Sequence, residues 1–378
     1  MSKTYDYVIV GAGSAGCVMA NRLSHDPSVS VLLIESGPEH TSPLISRPRG
    51  IGKLLTAGNP HVWDYQASRG EHMPDELLLK GRAIGGSSSV NGMVYVRGAP
   101  ADYDAWEAQG CEGWGWQDIG RRFVALEDHV LGNDEWRGKG GPLKVSVHPA
   151  NDPLCDAVIA AAGQIGTPAV ADTNHVQAVR DGGFGYQPQT TWGGQRFSAA
   201  KAFLDPVRAR NNLTVLTGST AERILFEGGR ATAVVVRNAS GLHAFAIRRE
   251  AVLCADAIES PKLLQLSGVG PASLLKPLGS RSSPIRQTPG AIFGSISISP
   301  CNFGSPEAAA AGGESVHTRG QRSACTCDFF GRGRCSTDCK KQVGHCVIRH
   351  ADQRLSCLRA IARMSCCAPD RPIPRASS

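Results

Sequence analysis

The sequence predicts an α/β fold built on a buried parallel sheet, and three features in order predict it. Residues 5–10 (Tyr-Asp-Tyr-Val-Ile-Val) are a short apolar run rich in β-branched side chains, the pattern of a strand covered on both faces. Gly11-Ala-Gly-Ser-Ala-Gly16 follows without a gap, and residues 17–23 continue as a small-residue helix. Residues 29–34 form a second buried run that ends on Glu35.

Each element has a physical reason. Gly11 permits the tight turn, Gly13 lets a pyrophosphate approach the backbone, and Gly16 allows helix and strand to pack closely. Phosphates would rest where Ser14 opens the helix, because free N–H groups and the helix dipole favour negative charge there. Glu35 stands 24 positions after Gly11, placed to accept hydrogen bonds from ribose hydroxyls and to repel a 2′-phosphate. The order strand, glycines, helix, strand, acid describes a Rossmann-like dinucleotide-binding βαβ unit. It does not by itself separate FAD from NAD.

A second glycine-rich stretch runs from residue 81 to residue 98, Gly-Arg-Ala-Ile-Gly-Gly-Ser-Ser-Ser-Val-Asn-Gly-Met-Val-Tyr-Val-Arg-Gly. Glycines without Cβ let backbone come within contact distance of a flat ligand, and Ser and Asn supply short polar groups to hold it. Met93, Val94, Tyr95 and Val96 follow at once, so the loop is expected to lead into a buried, strand-like run rather than a linker.

Together these blocks resemble the glucose–methanol–choline (GMC) family of FAD-dependent oxidoreductases over residues 5–279. Residues 81–98 resemble its first signature, followed by Asp102-Tyr-Asp-Ala-Trp106. Asp256-Ala-Ile-Glu-Ser-Pro-Lys-Leu-Leu-Gln-Leu-Ser-Gly-Val-Gly-Pro271 resembles the second. Phe197-Ser-Ala-Ala-Lys-Ala-Phe-Leu204 and Arg223-Ile-Leu-Phe226 resemble further landmarks. The resemblance implies that a small-molecule alcohol is oxidised to a carbonyl while FAD takes up a hydride, with a quinone, dye or oxygen as the final acceptor. It also implies that Asn91, Gly92, Met93 and Val94 lie against the flavin ring, Gly86 and Ser87 near its ribityl and phosphate portion, and Ala221 beside the adenine. Members that attach FAD covalently do so through a histidine just before the asparagine. That place is Val90 here, so non-covalent FAD is expected. Asp256 departs from the small residue, most often glycine, that the family carries, and a carboxylate close to a cofactor is costly to bury unpaired. Trp63 reads as a core aromatic or a cofactor contact, and Arg82 as a surface ion pair or a neighbour of the flavin.

The expected organisation has four parts. Residues 1–144 are the first part of a FAD-binding domain, and 145–210 a partial α+β substrate domain. Residues 211–280 return to the FAD-binding domain. Within these parts, strands are expected at 143–147, 213–216, 223–226, 231–237 and 251–255, and helices at 153–163 and 199–211. Residues 281–378 form a tail of no recognised fold, expected to be disordered.

Composition sets the tail apart. It holds 14 Lys/Arg and 6 Asp/Glu, whereas the other 280 residues hold 26 and 27, and nine of the thirteen cysteines lie in it. Cys325, Cys327, Cys335, Cys339, Cys346 and His345 would suit a metal, but their spacing is irregular for structural zinc. A basic tail could meet nucleic acid or a membrane surface, yet no aromatic interleaving or motif supports that, and no nucleic-acid partner is expected. Out-of-frame translation after about Ser280 is the favoured reading, since shifted GC-rich DNA yields Arg, Ser, Pro, Cys and Gly. No run is apolar enough to span a bilayer, and the N-terminus enters a strand directly. A cytoplasmic location is expected, with peripheral contact to the inner membrane left open.

The family's general base, a histidine, belongs to a C-terminal block, and such a group is worth ~10²–10⁴-fold. None of the eleven histidines falls in a catalytic motif of the family, so no catalytic residue is assigned. A non-catalytic product that at most binds FAD is the alternative to an enzyme.

Overall fold

The structure, a computed structural model, describes residues 3–68, 73–132, 134–148, 152–271 and 275. The tail from 281 to 378, and with it the metal, basic and out-of-frame readings, lies outside the described residues.

In chain order the strands are β1 (Thr4–Val10), β2 (Val31–Ile34), β3 (Val62–Ala67), β4 (Glu76–Gly81), β5 (Glu127–His129), β6 (Leu143–Val147), β7 (Pro188–Gln189), β8 (Thr191–Trp192), β9 (Gln195–Arg196), β10 (Leu213–Leu216), β11 (Thr220–Glu227), β12 (Arg230–Asn238) and β13 (Gly241–Leu253). The longer helices are α1 (Ser14–Leu23), α2 (Pro100–Ala108), α3 (Trp116–Leu126), α4 (Pro153–Gln164) and α5 (Asp256–Leu266).

The main sheet has the order β10-β2-β1-β13-β12-β11. Its first four strands are parallel, and β13, β12 and β11 pair antiparallel. Both faces of the parallel part are covered, which is why its strands read as unbroken apolar runs. Ile9, Val31 and Leu33 pack on one side with Cys17 and Ala20 of α1 and with Phe203 and Leu204. Val8, Val10, Leu32 and Ile34 pack on the other with Ile224, Val234, Val236 and Leu263 of α5. The α/β class expected from the βαβ unit is therefore observed, and residues 213–253 return to the sheet that residues 4–34 began.

A second region is smaller and less regular. β5, β6 and β7 form a three-stranded sheet, β8 and β9 a short hairpin, and β3 and β4 a separate antiparallel hairpin. Helix α4 begins as expected, with the Asp152 carboxylate accepting from Leu154 and Cys155 N–H at 3.0 Å, the usual N-cap bond.

Three expectations need correction. Residues 93–96 are not a buried strand: Val94 and Val96 are 51% and 65% exposed, and Val94 makes only an isolated bridge to Gln189. The cause is Met93, whose φ of 63° turns the chain out of extended geometry. Residues 199–211 are not one helix. A π-helical turn over Ala200–Leu204 runs into a 3₁₀ turn over Asp205–Val207, where Pro206 has no N–H to continue a ladder. The strand expected at 251–255 is the end of the 13-residue β13. It changes partner along its length, from β12 at residues 241–246 to β1 at 246–253, so its polar middle, Arg248-Arg249-Glu250, hides the run.

Candidate cofactor site

The two glycine-rich segments meet at one place because neither carries a side chain there. Gly11 takes a φ of +95°, and a Cβ on it would stand 2.5 Å from the Cys254 carbonyl oxygen. A Cβ on Gly16 would fall 1.9 Å from the Gly11 carbonyl oxygen, so helix α1 can cross its own turn only with glycine. A Cβ on Gly86 would lie 2.7 Å from Gly13 Cα. Gly85 N–H also donates to the Ala12 carbonyl at 2.7 Å. These clashes are with backbone, which cannot swing aside.

Around this crossing lies a cavity of about 930 Å³, at the upper end of the ~300–1,000 Å³ usual for small-molecule sites. Gly11, Gly13, Ser14, Glu35, Gly86, Ser87 and Ala221 all line it. Gly13 presents open space, since a Cβ on it would meet nothing nearer than 3.9 Å. The N-terminus of α1 faces the same space, so its first-turn amides offer donors to an anion.

Glu35 is 6% exposed, and burial pushes its carboxyl above the usual range. Opposing that, its Oε1 accepts from Gly37 N–H at 2.8 Å and its Oε2 from Ala12 N–H at 2.9 Å. An ionised carboxylate has about four lone-pair sites, so acceptor capacity remains for hydroxyl groups. Arg82 neighbours Glu35 and helps its ionised form. The Arg82 guanidinium lies over the Trp63 ring at 4.5 Å, and Trp63 itself lines the cavity. Trp63 is thus a wall residue rather than a core aromatic.

The second signature stretch also lines the cavity, and the sequence did not anticipate the hairpin residues that meet it. Tyr65 and Lys80 of the β3–β4 hairpin line the cavity together with Asp256, Glu259 and Lys262 of α5. Tyr65 O–H donates to Glu259 at 2.8 Å, and Lys80 pairs with Asp256 at 3.0 Å. Burial and the Glu259 charge raise the Tyr65 pKa, so it stays a neutral donor. Asp256 is therefore paired, not stranded, and it holds a φ of +67° that L-residues rarely adopt.

Not every expected site residue joins the cavity. Gly16 acts from behind it through packing. Asn91, Gly92, Met93 and Val94 are absent from its lining; Asn91 and Gly92 are exposed and Met93 is 5% exposed. Val90 is buried against Ile45, Leu54 and Val62. Among the described residues no histidine lines the cavity: His40 pairs with Asp205, His148 stacks on Tyr186, and His129 is buried beside Asp172.

The GMC oxidoreductase family profile matches residues 5–284. The chain belongs to the GMC oxidoreductase family. GMC oxidoreductases are FAD-binding flavoproteins. The chain is 40% identical over 276 residues to an oxygen-dependent choline dehydrogenase of Sinorhizobium fredii, covering 72% of this chain and 49% of that one. With the same enzyme of Ectopseudomonas mendocina it shares 41% over 286 residues, 74% of this chain and 50% of the relative. It therefore spans about half the length of these curated relatives. Among solved structures it is similar to pyridoxine 4-oxidase from Mesorbium loti, with a TM-score of 0.67 and 39% identity over 73% of this chain and 54% of that one. A formate oxidase of Aspergillus oryzae, studied for modification of its FAD, gives a TM-score of 0.66 at 27% identity, covering 75% and 51%. Among the described residues no helix is long and apolar enough to cross a membrane.

Proposed function

We propose that this chain binds FAD non-covalently in the 930 Å³ cavity, as the cofactor half of an oxidoreductase that converts a small-molecule alcohol to its carbonyl. The observation that carries this is the convergence of Gly11, Gly13, Ser14, Gly86, Ser87, Glu35 and Ala221 on one cavity. The fit follows from chemistry: glycine backbones and a helix N-terminus suit a pyrophosphate, and a partly satisfied buried carboxylate suits ribose hydroxyls. FAD, when bound, supplies the hydride acceptor.

The chain's residues bind and orient. The α1 amides hold phosphate charge, Glu35 fixes the ribose, and the Trp63 ring closes one side. Residues 91–94 form the flavin-facing segment beyond the cavity. Residues 1–144 and 211–280 make the FAD-binding domain, and 145–210 part of the substrate domain. Val90 carries no group able to bond the flavin, which supports a non-covalent cofactor. Cys17, Cys111, Cys155 and Cys254 are free thiols, which fits a reducing, cytoplasmic compartment. A small alcohol is the substrate class, and a quinone, dye or oxygen the acceptor.

One observation favours a second reading, a product that binds FAD without turnover. The family match stops at residue 284, close to where the composition turns basic and cysteine-rich, and the described cavity wall offers no histidine. The purified full chain decides between them. Flavin absorbance that acid precipitation releases into the supernatant, with dye-linked oxidation of an alcohol panel, supports the enzyme. Released flavin without turnover supports the second reading, and a colourless soluble chain that takes up no added FAD overturns both.

A further inference from the structure

Among the described residues Arg196 is the largest fully buried side chain, 1% exposed, and no carboxylate acts on it. Its Nε donates to the Ile45 carbonyl at 2.9 Å. Its Nη1 donates to the Ser88 carbonyl at 3.2 Å and to Asn91 Oδ1 at 2.9 Å. Nη2 is buried without a hydrogen-bond partner. A buried cation lacking a counter-charge is expensive, and burial drags the Arg196 pKa down to about 10. Packing would be served as well by methionine. A guanidinium in this place needs a reason.

The reason lies one bond further on. Asn91 Oδ1 also accepts from Met93 N–H at 3.0 Å. Both neighbours of that atom are donors, so the amide oxygen, not its nitrogen, must sit there. The Asn91-to-Met93 bond closes a small ring that keeps Met93 at φ 63°, a conformation costly for a long apolar side chain. The Met93 carbonyl, turned by that conformation, accepts from Thr190 N–H at 2.8 Å and Thr190 Oγ1 at 3.3 Å. Ala199 N–H donates to Ser88 Oγ at 2.9 Å. The β8–β9 hairpin thus grips the 88–93 loop from one side, with Arg196 at its centre. Strain held by over-determined contacts is characteristic of functional positions.

Given the FAD site proposed above, we propose that Arg196 is a positioning residue: it orients the Asn91 amide, which holds Met93 left-handed and so shapes the flavin-facing segment 91–94. Lysine keeps the charge but cannot reach the Ile45, Ser88 and Asn91 acceptors at once, because it lacks the planar fork.

The test uses the full chain stripped of flavin and titrated with FAD, following fluorescence quenching and the visible circular dichroism of the bound flavin. Arg196→Lys and Asn91→Ala should each weaken FAD binding about tenfold and change the flavin dichroism in the same way. The double variant should be no worse than either single one, since both break one chain of contacts. Asn91 is exposed and Arg196 keeps its Ile45 and Ser88 acceptors in Asn91→Ala, so this variant is the milder of the two, and far-ultraviolet circular dichroism of each checks that it is folded. Additive losses in the double variant overturn the proposal. So does wild-type affinity in Arg196→Lys, which would make charge alone sufficient, or a lowered melting temperature with unchanged FAD affinity and dichroism. Failure of the wild-type chain to bind FAD strikes the FAD site itself, a different result.

Discussion

The parallel sheet and the smaller β5–β6–β7 region differ in how much charge they bury. In the sheet, Val8, Ile9, Leu32 and Leu33 are fully buried, and each layer of apolar side chains finds a partner on the other side. In the smaller region Leu143 and Val145 of β6 join the core under the sheet, but charged and polar groups are buried beside them. Glu127 is fully buried, accepting from Tyr95 O–H at 2.6 Å and Arg97 Nε at 3.0 Å, and it forms an ion pair with Arg97. His129 and Asp172 are buried beside it. Meanwhile apolar side chains face out: Leu154 is 74% exposed, Ile165 81% and Trp114 54%. The sheet owes its order to dry packing that completes itself. The smaller region adds a buried polar network centred on Glu127, in which His129 Nε2 and Asp172 Oδ2 lack hydrogen-bond partners, and it leaves large apolar side chains exposed.

The largest effect should come from the network. Glu127→Ala leaves the Arg97 guanidinium buried without its anion, which costs about 3–5 kcal/mol. Denaturant unfolding followed by tryptophan fluorescence reads this directly, because Trp106, Trp114, Trp116, Trp136 and Trp192 all lie outside the main sheet. A loss below 1 kcal/mol would mean the network contributes little. Next comes Leu33→Ala in the sheet, expected to cost about 2–5 kcal/mol through lost burial and a cavity. Leu154→Ser, on the exposed face of α4, should stay within about 0.5 kcal/mol. Equal losses at the two leucines would erase the contrast.

Acid should separate the regions by residue. Backbone and side-chain bonds from Ser30, then Arg248, hold Asp6 down to about 2, tying β1 to the approach of β2. The Lys144 ammonium, then Gly140 N–H, holds Asp128 down to about 2 in the smaller region. Both folded values lie below the unfolded ~3.9. The stabilisation is therefore present above about pH 4 and is lost as pH falls toward 2. Asp128→Asn should flatten that acid dependence in tryptophan fluorescence, and Asp6→Asn in far-ultraviolet circular dichroism. Identical shifts in both probes by either variant would show one cooperative unit.

The same contrast governs what the sequence revealed. The βαβ unit was legible because each of its signals is local: an apolar run buried on both faces, and glycines demanded by backbone clashes at Gly11, Gly16 and Gly86. The run at 93–96 misled because apolar character predicts burial, while a single left-handed residue, Met93, decides direction. The strand β13 was half visible, since Arg248, Arg249 and Glu250 sit where it passes from one partner to another. Strand β3 of the β3–β4 hairpin alternates only between half-buried and exposed residues and β4 not at all, so the hairpin's one sequence signal was the aromatic Trp63. The glycine segments and the 256–271 stretch were readable, whereas Tyr65 and Lys80 were not: tertiary folding alone brings them to Glu259 and Asp256. Arg196 is the extreme case, because an arginine in a sequence reads as surface.

The smallest effect belongs to Asp256, which lines the cavity in a left-handed conformation. Asp256 opens α5 at φ +67°, a position where the sequence resemblance leads one to expect a small residue. Asp256→Gly would relieve about 1 kcal/mol of left-handed strain. Against that stand loss of an acid at a helix N-terminus, about 0.3–1 kcal/mol, and of the pair with Lys80. The Asp256 side chain is 42% exposed, so that pair is worth about 0–1 kcal/mol. The stability terms nearly cancel, and the melting temperature should move little. Affinity has no such cancellation. The substitution removes a negative charge from the cavity and releases Lys80 to face an anionic cofactor, so FAD should bind about threefold tighter, more so at low salt. Asp256→Ala separates the two effects, gaining the affinity while keeping a Cβ at a left-handed position and melting lower than the glycine variant. Weaker FAD binding in Asp256→Gly would instead make the carboxylate a cofactor contact, and the start of α5, like the glycine segments, part of the binding surface.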